Sequence, residues 1–92
     1  MGKVIAIVRL LPEDADTDPR ILEKAVRDGL PPGTYEVLKS SIEPVAFGIN
    51  ALYLWIVMPE DIEGGTDDLE KRLSAIEGVS QVDVVSVSRM IE

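Results

Sequence analysis

Neither cysteine nor histidine occurs among the 92 residues. Their absence excludes disulfides, thiol nucleophiles, zinc sites of the Cys/His type, haem held by imidazole and every triad that turns on a histidine. Positive charge is scarce: nine Lys and Arg face 17 Asp and Glu, for a net charge of −8 and an isoelectric point near 4.4. Recognition of a phosphate backbone needs a basic stripe, so this balance argues against nucleic acid as a partner. Long hydrophobic runs are missing too. Val4–Leu11 is interrupted by Arg9 and closed by Pro12, too short to span a bilayer and without a signal peptide's cleavage site. Ala6 stands where a myristoylation signal needs Ser or Thr. No membrane partner is expected, and the chain reads as a cytoplasmic protein. What is present is ordinary globular composition, 46% hydrophobic and 28% charged, enough for a single domain over residues 1–92. Carboxylate chemistry, oxygen-ligand metals and protein binding survive these exclusions.

Periodicity gives the elements. Lys3–Leu11 is rich in Val and Ile and nearly continuous in apolarity, as a mid-sheet strand should be. The polar run 13–18 ends in Asp18-Pro19, a cap followed by a proline at the first helical position. Ile21, Leu22, Ala25, Val26 and Leu30 then recur at helical spacing, and Gly29 with Pro31-Pro32-Gly33 ends the helix. Thr34–Phe47 reads as a long, imperfect strand, placed at a sheet edge because Pro44 cannot donate to a ladder. Ala51–Met58 alternates strictly: Leu52, Leu54 and Ile56 point one way, Tyr53, Trp55 and Val57 the other. Thr66 is expected to cap a second helix with the apolar stripe Leu69, Leu73 and Ile76, ended by Gly78, and Val79–Ile91 forms the last strand. The order strand, helix, strand, strand, helix, strand predicts an α+β, ferredoxin-like βαββαβ two-layer sandwich. Its antiparallel four-stranded sheet carries both helices on one face.

That topology puts the turn after Phe47 at the end of the sheet where the first acidic loop lies, and Arg89 at the opposite end beside the loop 60–65. Strands of this length hold the two ends about 30 Å apart at roughly 3.3 Å per residue. Phe47 and Arg89 therefore cannot serve one small pocket; if both matter, the partner is large.

Candidate chemistry is thin. Asp14-x-Asp16-x-Asp18 opens like a calcium-binding loop, but Pro19 stands where a glycine turn is required and Ala25 where a bidentate Glu is required. The second acidic cluster, 60–70, flanks a Gly-Gly loop with nothing apolar to split its carboxylate pKa values, so it reads as a solvated face. Ten of the 17 acidic residues fall within 13–18 and 60–70, a potential that steers basic protein surfaces toward the chain. Tyr53 and Trp55 share a sheet face with Ile5, Ile7, Val85 and Val87. An RNA-stacking role would want Lys and Arg interleaved along that strand. No nucleophile with its base, no cofactor motif and no metal site emerges, so the chain is not expected to be an enzyme. From the residues alone, a ferredoxin-like regulatory or protein-binding module stays open.

The stretch Pro44-Val45-Ala46-Phe47-Gly48-Ile49-Asn50-Ala51-Leu52, followed by Pro59-Glu60-Asp61, resembles the guanine-nucleotide-exchange domain of the translation elongation factor 1-beta family. So does the ending Val82-Asp83-Val84-Val85-Ser86-Val87-Ser88-Arg89-Met90, a closing strand finished by a basic and then an apolar residue. The resemblance spans the chain and is most specific over 42–61. It implies the short archaeal form, an exchange module without the amino-terminal interaction domain and acidic linker of eukaryotic relatives. It further implies a ferredoxin-like fold and a GTPase partner, elongation factor 1-alpha, whose GDP release is accelerated so that GTP loads; a monomer or weak homodimer is expected. By position, Arg89 matches the family's exchange-promoting basic residue, followed by Met90. Phe47, with Gly48 and Ile49, matches the turn that contacts another domain of the partner. Two positions depart: eukaryotic members have Lys where Arg89 stands, and the lysine pair after Gly-Ile is Asn50-Ala51 here.

Overall fold

Alternation along the strands decides the layers of the molecule. In a computed structural model that describes residues 2–45, 48–61 and 65–89, the elements run β1 (Lys3–Pro12), α1 (Pro19–Gly29), β2 (Glu36–Pro44), β3 (Asn50–Pro59), α2 (Thr66–Ser74) and β4 (Val79–Arg89). The strands form one antiparallel sheet in the order β2-β3-β1-β4. One parity of the two central strands, Ala6, Val8 and Leu10 with Leu52, Leu54 and Ile56, is fully buried. It joins Leu22 and Val26 of α1 and Leu69 and Leu73 of α2 in a single core, so both helices cover the same sheet face. The ferredoxin-like sandwich expected from the element order is the fold observed.

Local signals behave as their chemistry dictates. Asp18 accepts a hydrogen bond from the Arg20 backbone N–H at 2.9 Å, with Pro19 starting the helix. Pro44 is the last residue of edge strand β2, where its missing N–H costs no ladder bond. Trp55 and Tyr53 lie on the central strand β3, facing away from the helices with Ile5 and Ile7.

Five expectations are corrected. Thr66 does not cap α2; it is the first helical residue. The cap position falls to Gly65, at φ 54°, with no side-chain cap bond. Ile76 lies beyond the end of α2, its N–H bonded to the Leu73 carbonyl, though it still packs against the core. Ile21 belongs to no buried stripe: it is 66% exposed, because the core takes the narrower row Leu22, Val26 and Leu30. Val87 does not share the face of Trp55. A register shift between β1 residues Ile7 and Val8 makes Val85 an extra residue in β4, and Val87 lands opposite Ala6. The strand drawn from Thr34 to Phe47 is shorter, Glu36–Pro44, with a shift between Val37 and Lys39 that strands Leu38 outside the ladder. Phe47 and the final residues Met90 and Ile91 lie outside the described residues.

One polar network fastens α2 to the segment that enters β2. The Tyr35 hydroxyl donates to Asp68 Oδ2 at 2.7 Å, and Arg72 Nε donates to the same oxygen at 2.8 Å. Arg72, and after it Tyr35, holds the Asp68 carboxyl below the usual carboxylate range. Burial, then the Asp68 bond, pushes the Tyr35 hydroxyl up to about 12.

Leu54→Ala, which empties a fully buried site at the middle of β3, is expected to cost about 2–5 kcal/mol in urea unfolding. The tyrosine gives a second expectation. Its folded pKa lies above the unfolded value of about 10, so its contribution is whole below that pH and is lost as pH rises toward the folded value. Tyr35→Phe should therefore be less stable than the parent at neutral pH. The gap should narrow above about pH 10 in denaturation midpoints followed across the alkaline range.

Candidate partner-binding site

Strand direction sorts the candidate residues between two poles. β1 ends and β3 begins at one end of the sheet, where Leu10 pairs with Leu52 and Pro44 with Asn50. Here the acidic loop 13–18 and the turn between β2 and β3 sit together. The turn is closed by a bond from the Val45 N–H to the Ile49 carbonyl at 2.9 Å. Gly48 takes φ 76°, a conformation that L side chains resist and glycine adopts without strain. Gly48 is exposed and Ile49 half-buried, which leaves this end of the turn open to solvent.

The other pole gathers the start of β1, the end of β3 and the end of β4: Lys3 pairs with Pro59 and Val4 with Arg89. The Arg89 side chain is 78% exposed and its Nη2 lies 3.2 Å from Glu60 Oε2. An ion pair this open to solvent adds little to stability, so the guanidinium is available to a second anion. A cavity of about 410 Å³, lined by Lys3, residues 32–36 and residues 57–59, lies at this same end. The molecule is 41 Å long and 21 by 18 Å across. Gly48 and Ile49 are thus separated from Arg89 by the length of β3, as the strand arithmetic required.

Between the poles runs the uncovered sheet face. Lys39 Nζ sits 4.7 Å from the centre of the Trp55 ring, and Arg9 pairs with Asp83 at 2.8 Å. The Arg9 guanidinium, and after it Gln81, holds the Asp83 carboxyl below its usual range. A groove of about 500 Å³, bordered by Ile7, Trp55, Tyr53 and Val45, leads from this face toward the turn. These cations escaped the sequence reading because they come from neighbouring strands; only the register, Lys39 opposite Trp55 and Arg9 opposite Asp83, brings them in. Trp55 thus carries a cation–π contact with its neighbouring strand. Read from the sequence, Glu60 is part of an acidic surface and of the Pro59-Glu60-Asp61 motif, in a loop beside Arg89; the ion pair itself is not anticipated there and depends on strand order.

The acidic loops do not converge. Among the described residues no group of three carboxylates is placed to hold a metal ion, and no helix is long and apolar enough to cross a membrane.

Residues 5–90 match the EF-1 guanine nucleotide exchange domain. The chain is 47% identical over 89 residues to elongation factor 1-beta of Thermofilum pendens, with 97% of each chain covered. It is 48% identical over 90 residues to elongation factor 1-beta of Staphylothermus marinus, covering 98% of this chain and 99% of that one. Elongation factor 1-beta of Desulfurococcus amylolyticus is 49% identical over 90 residues, with the same coverage.

Proposed function

The chain belongs to the family of EF-1 guanine nucleotide exchange domains, and from that premise we propose how it acts. It is a nucleotide exchange factor that promotes GDP release and GTP loading on elongation factor 1-alpha during translation elongation. In doing so it grips two separated surfaces of that GTPase. Arg89, with Met90 beside it, works at the nucleotide side, and the turn carrying Phe47, Gly48 and Ile49 holds a second region. All 92 residues act as one exchange domain, monomeric or weakly dimeric, in the cytoplasm and without contact to nucleic acid or membrane. The observation that supports the two-handed grip is the placement of exposed Arg89 and exposed Gly48 at opposite ends of a 41 Å molecule.

Exchange breaks no covalent bond, so its energetics are those of binding. A factor that binds the nucleotide-free GTPase more tightly than the GDP-bound form must, by linkage, weaken GDP to the same degree. Arg89 supplies a way to create that difference. A guanidinium brought beside the magnesium and phosphate side of the partner's site competes for the oxygens that hold GDP, while the distant turn keeps the complex together as the nucleotide leaves. A guanidinium always carries its charge and presents a planar fork of donors, so it suits phosphate oxygens in a different geometry from the ammonium of eukaryotic members. The 10 acidic residues within 13–18 and 60–70 give the on-rate a dependence on salt, since a basic partner surface is drawn to them.

The decisive experiment follows a fluorescent GDP analogue leaving elongation factor 1-alpha with and without the chain. Saturating parent protein should accelerate release strongly, and Arg89→Ala should lower that acceleration by about tenfold or more, the scale on which a single cation aimed at transferring or leaving phosphate acts. Acceleration that survives the substitution would remove Arg89 from the role. Binding without acceleration would leave a protein-binding module of the same fold.

A further inference from the structure

We propose that Glu60 is the positioning residue for Arg89, its side chain reaching across the start of β1 beside Gly2. The inference rests on the reading of Arg89 as the exchange-promoting cation.

Strand order creates the problem that this contact solves. Glu60 directly follows β3 and Arg89 ends β4, with β1 lying between them. Neighbouring strands are about 4.8 Å apart, so the two backbones stand about 10 Å from each other across the central strand. The Glu60 side chain reaches into that gap beside Gly2: a Cβ built there would lie 2.9 Å from Glu60 Oε2 and 3.0 Å from Glu60 Cδ, so any larger residue would make the end of the Glu60 side chain swing aside. The Glu60 N–H donates to the Gly2 carbonyl at 3.1 Å. Glu60 is thus fastened at its backbone and its side chain is only 27% exposed, whereas Arg89 is 78% exposed at the other side of the 3.2 Å pair.

The asymmetry assigns the roles. Glu60 is the fixed member and Arg89 the reaching one. An arginine at the last residue of an edge strand has several rotatable bonds, and each productive encounter would otherwise have to order them. One carboxylate oxygen lies 3.2 Å from one end of the guanidinium and limits how far the fork can swing, and among the described residues no other ion-pair partner of Arg89 is found. Orientation set before the partner arrives lowers the barrier to phosphate displacement rather than adding affinity. This gives a use to Glu60, directly after β3, which the grip on the partner does not otherwise require.

A double-mutant cycle tests it, using release of the fluorescent GDP analogue at saturating chain. Glu60→Gln should lower the maximal rate about threefold to tenfold while leaving the half-saturating concentration within about twofold, as loss of orientation without loss of binding does. Gly2→Ala, which touches neither charge but moves the carboxylate, should shift the maximal rate in the same direction. In an Arg89→Ala background, Glu60→Gln should change nothing further. Melting temperatures measured alongside should stay together, because so exposed a pair carries little of the fold's stability. An effect of Glu60→Gln that persists undiminished without Arg89, an acceleration of release, or no effect in the parent background would each overturn the proposal. A parent rate that Arg89→Ala leaves unchanged would instead remove the cation itself, and Glu60 would then have nothing to position.

Discussion

The antiparallel register of β1 between β3 and β4 fixes which residues meet at each end of the sheet. Lys3 opposite Pro59 and Val4 opposite Arg89 bring three chain segments from distant parts of the sequence to one pole. The same ladder, read the other way, carries the turn of β2 and β3 to the far end. Because successive side chains alternate, a slip of one residue would turn Leu52, Leu54 and Ile56 out of the core and Tyr53 and Trp55 into it. The core thus holds the register, and the register holds the functional geometry. No separate device is needed to keep the two poles apart.

That economy suits a protein whose task is mechanical. A nucleotide exchange factor needs a stiff frame, since a compliant one would follow the GTPase instead of favouring its empty state. The contacts that stiffen the frame are the shared helix-side core, the Tyr35–Asp68–Arg72 network that ties α2 to the entry of β2, and the Arg9–Asp83 pair across the uncovered face. Charge is arranged with the same division. The acidic residues crowd the polar loops, while the uncovered face pairs its cations locally, Lys39 over Trp55 and Arg9 with Asp83.

Much of this was legible from the residues. Asp18-Pro19 announced α1, Pro44 announced an edge strand, and the alternation of 51–58 announced a central one. The element order gave the fold, and two short patterns gave the family. What the residues hid has a common physical origin. The bulge that moved Val87 to the other face arises from how β4 pairs with β1, not from anything local to Val85. Ile21 fits the helical period but falls outside the width that the sheet can cover. Thr66 has a capping side chain, yet the chain bends one residue earlier, at a glycine with positive φ. The approach of Glu60 to Arg89 depends on which strands are neighbours, and no spacing along the chain encodes it. Arg89, Gly48 and Ile49 occupy the ends of the sheet assigned to them from the sequence.

Both outer strands of the sheet carry an irregularity, at Val37/Lys39 in β2 and opposite Ile7/Val8 in β4. An edge strand with regular spacing offers its unpaired backbone groups as a template to any extended chain that drifts past. Here each outer strand breaks step midway, and β2 adds Glu36, Lys39, Glu43 and the ring of Pro44. Two copies meeting side by side cannot bring their hydrogen-bonding groups into phase over more than a few residues. The chain can therefore be concentrated without polymerising through its sheet, and its open valines on β4 remain exposed without seeding fibres.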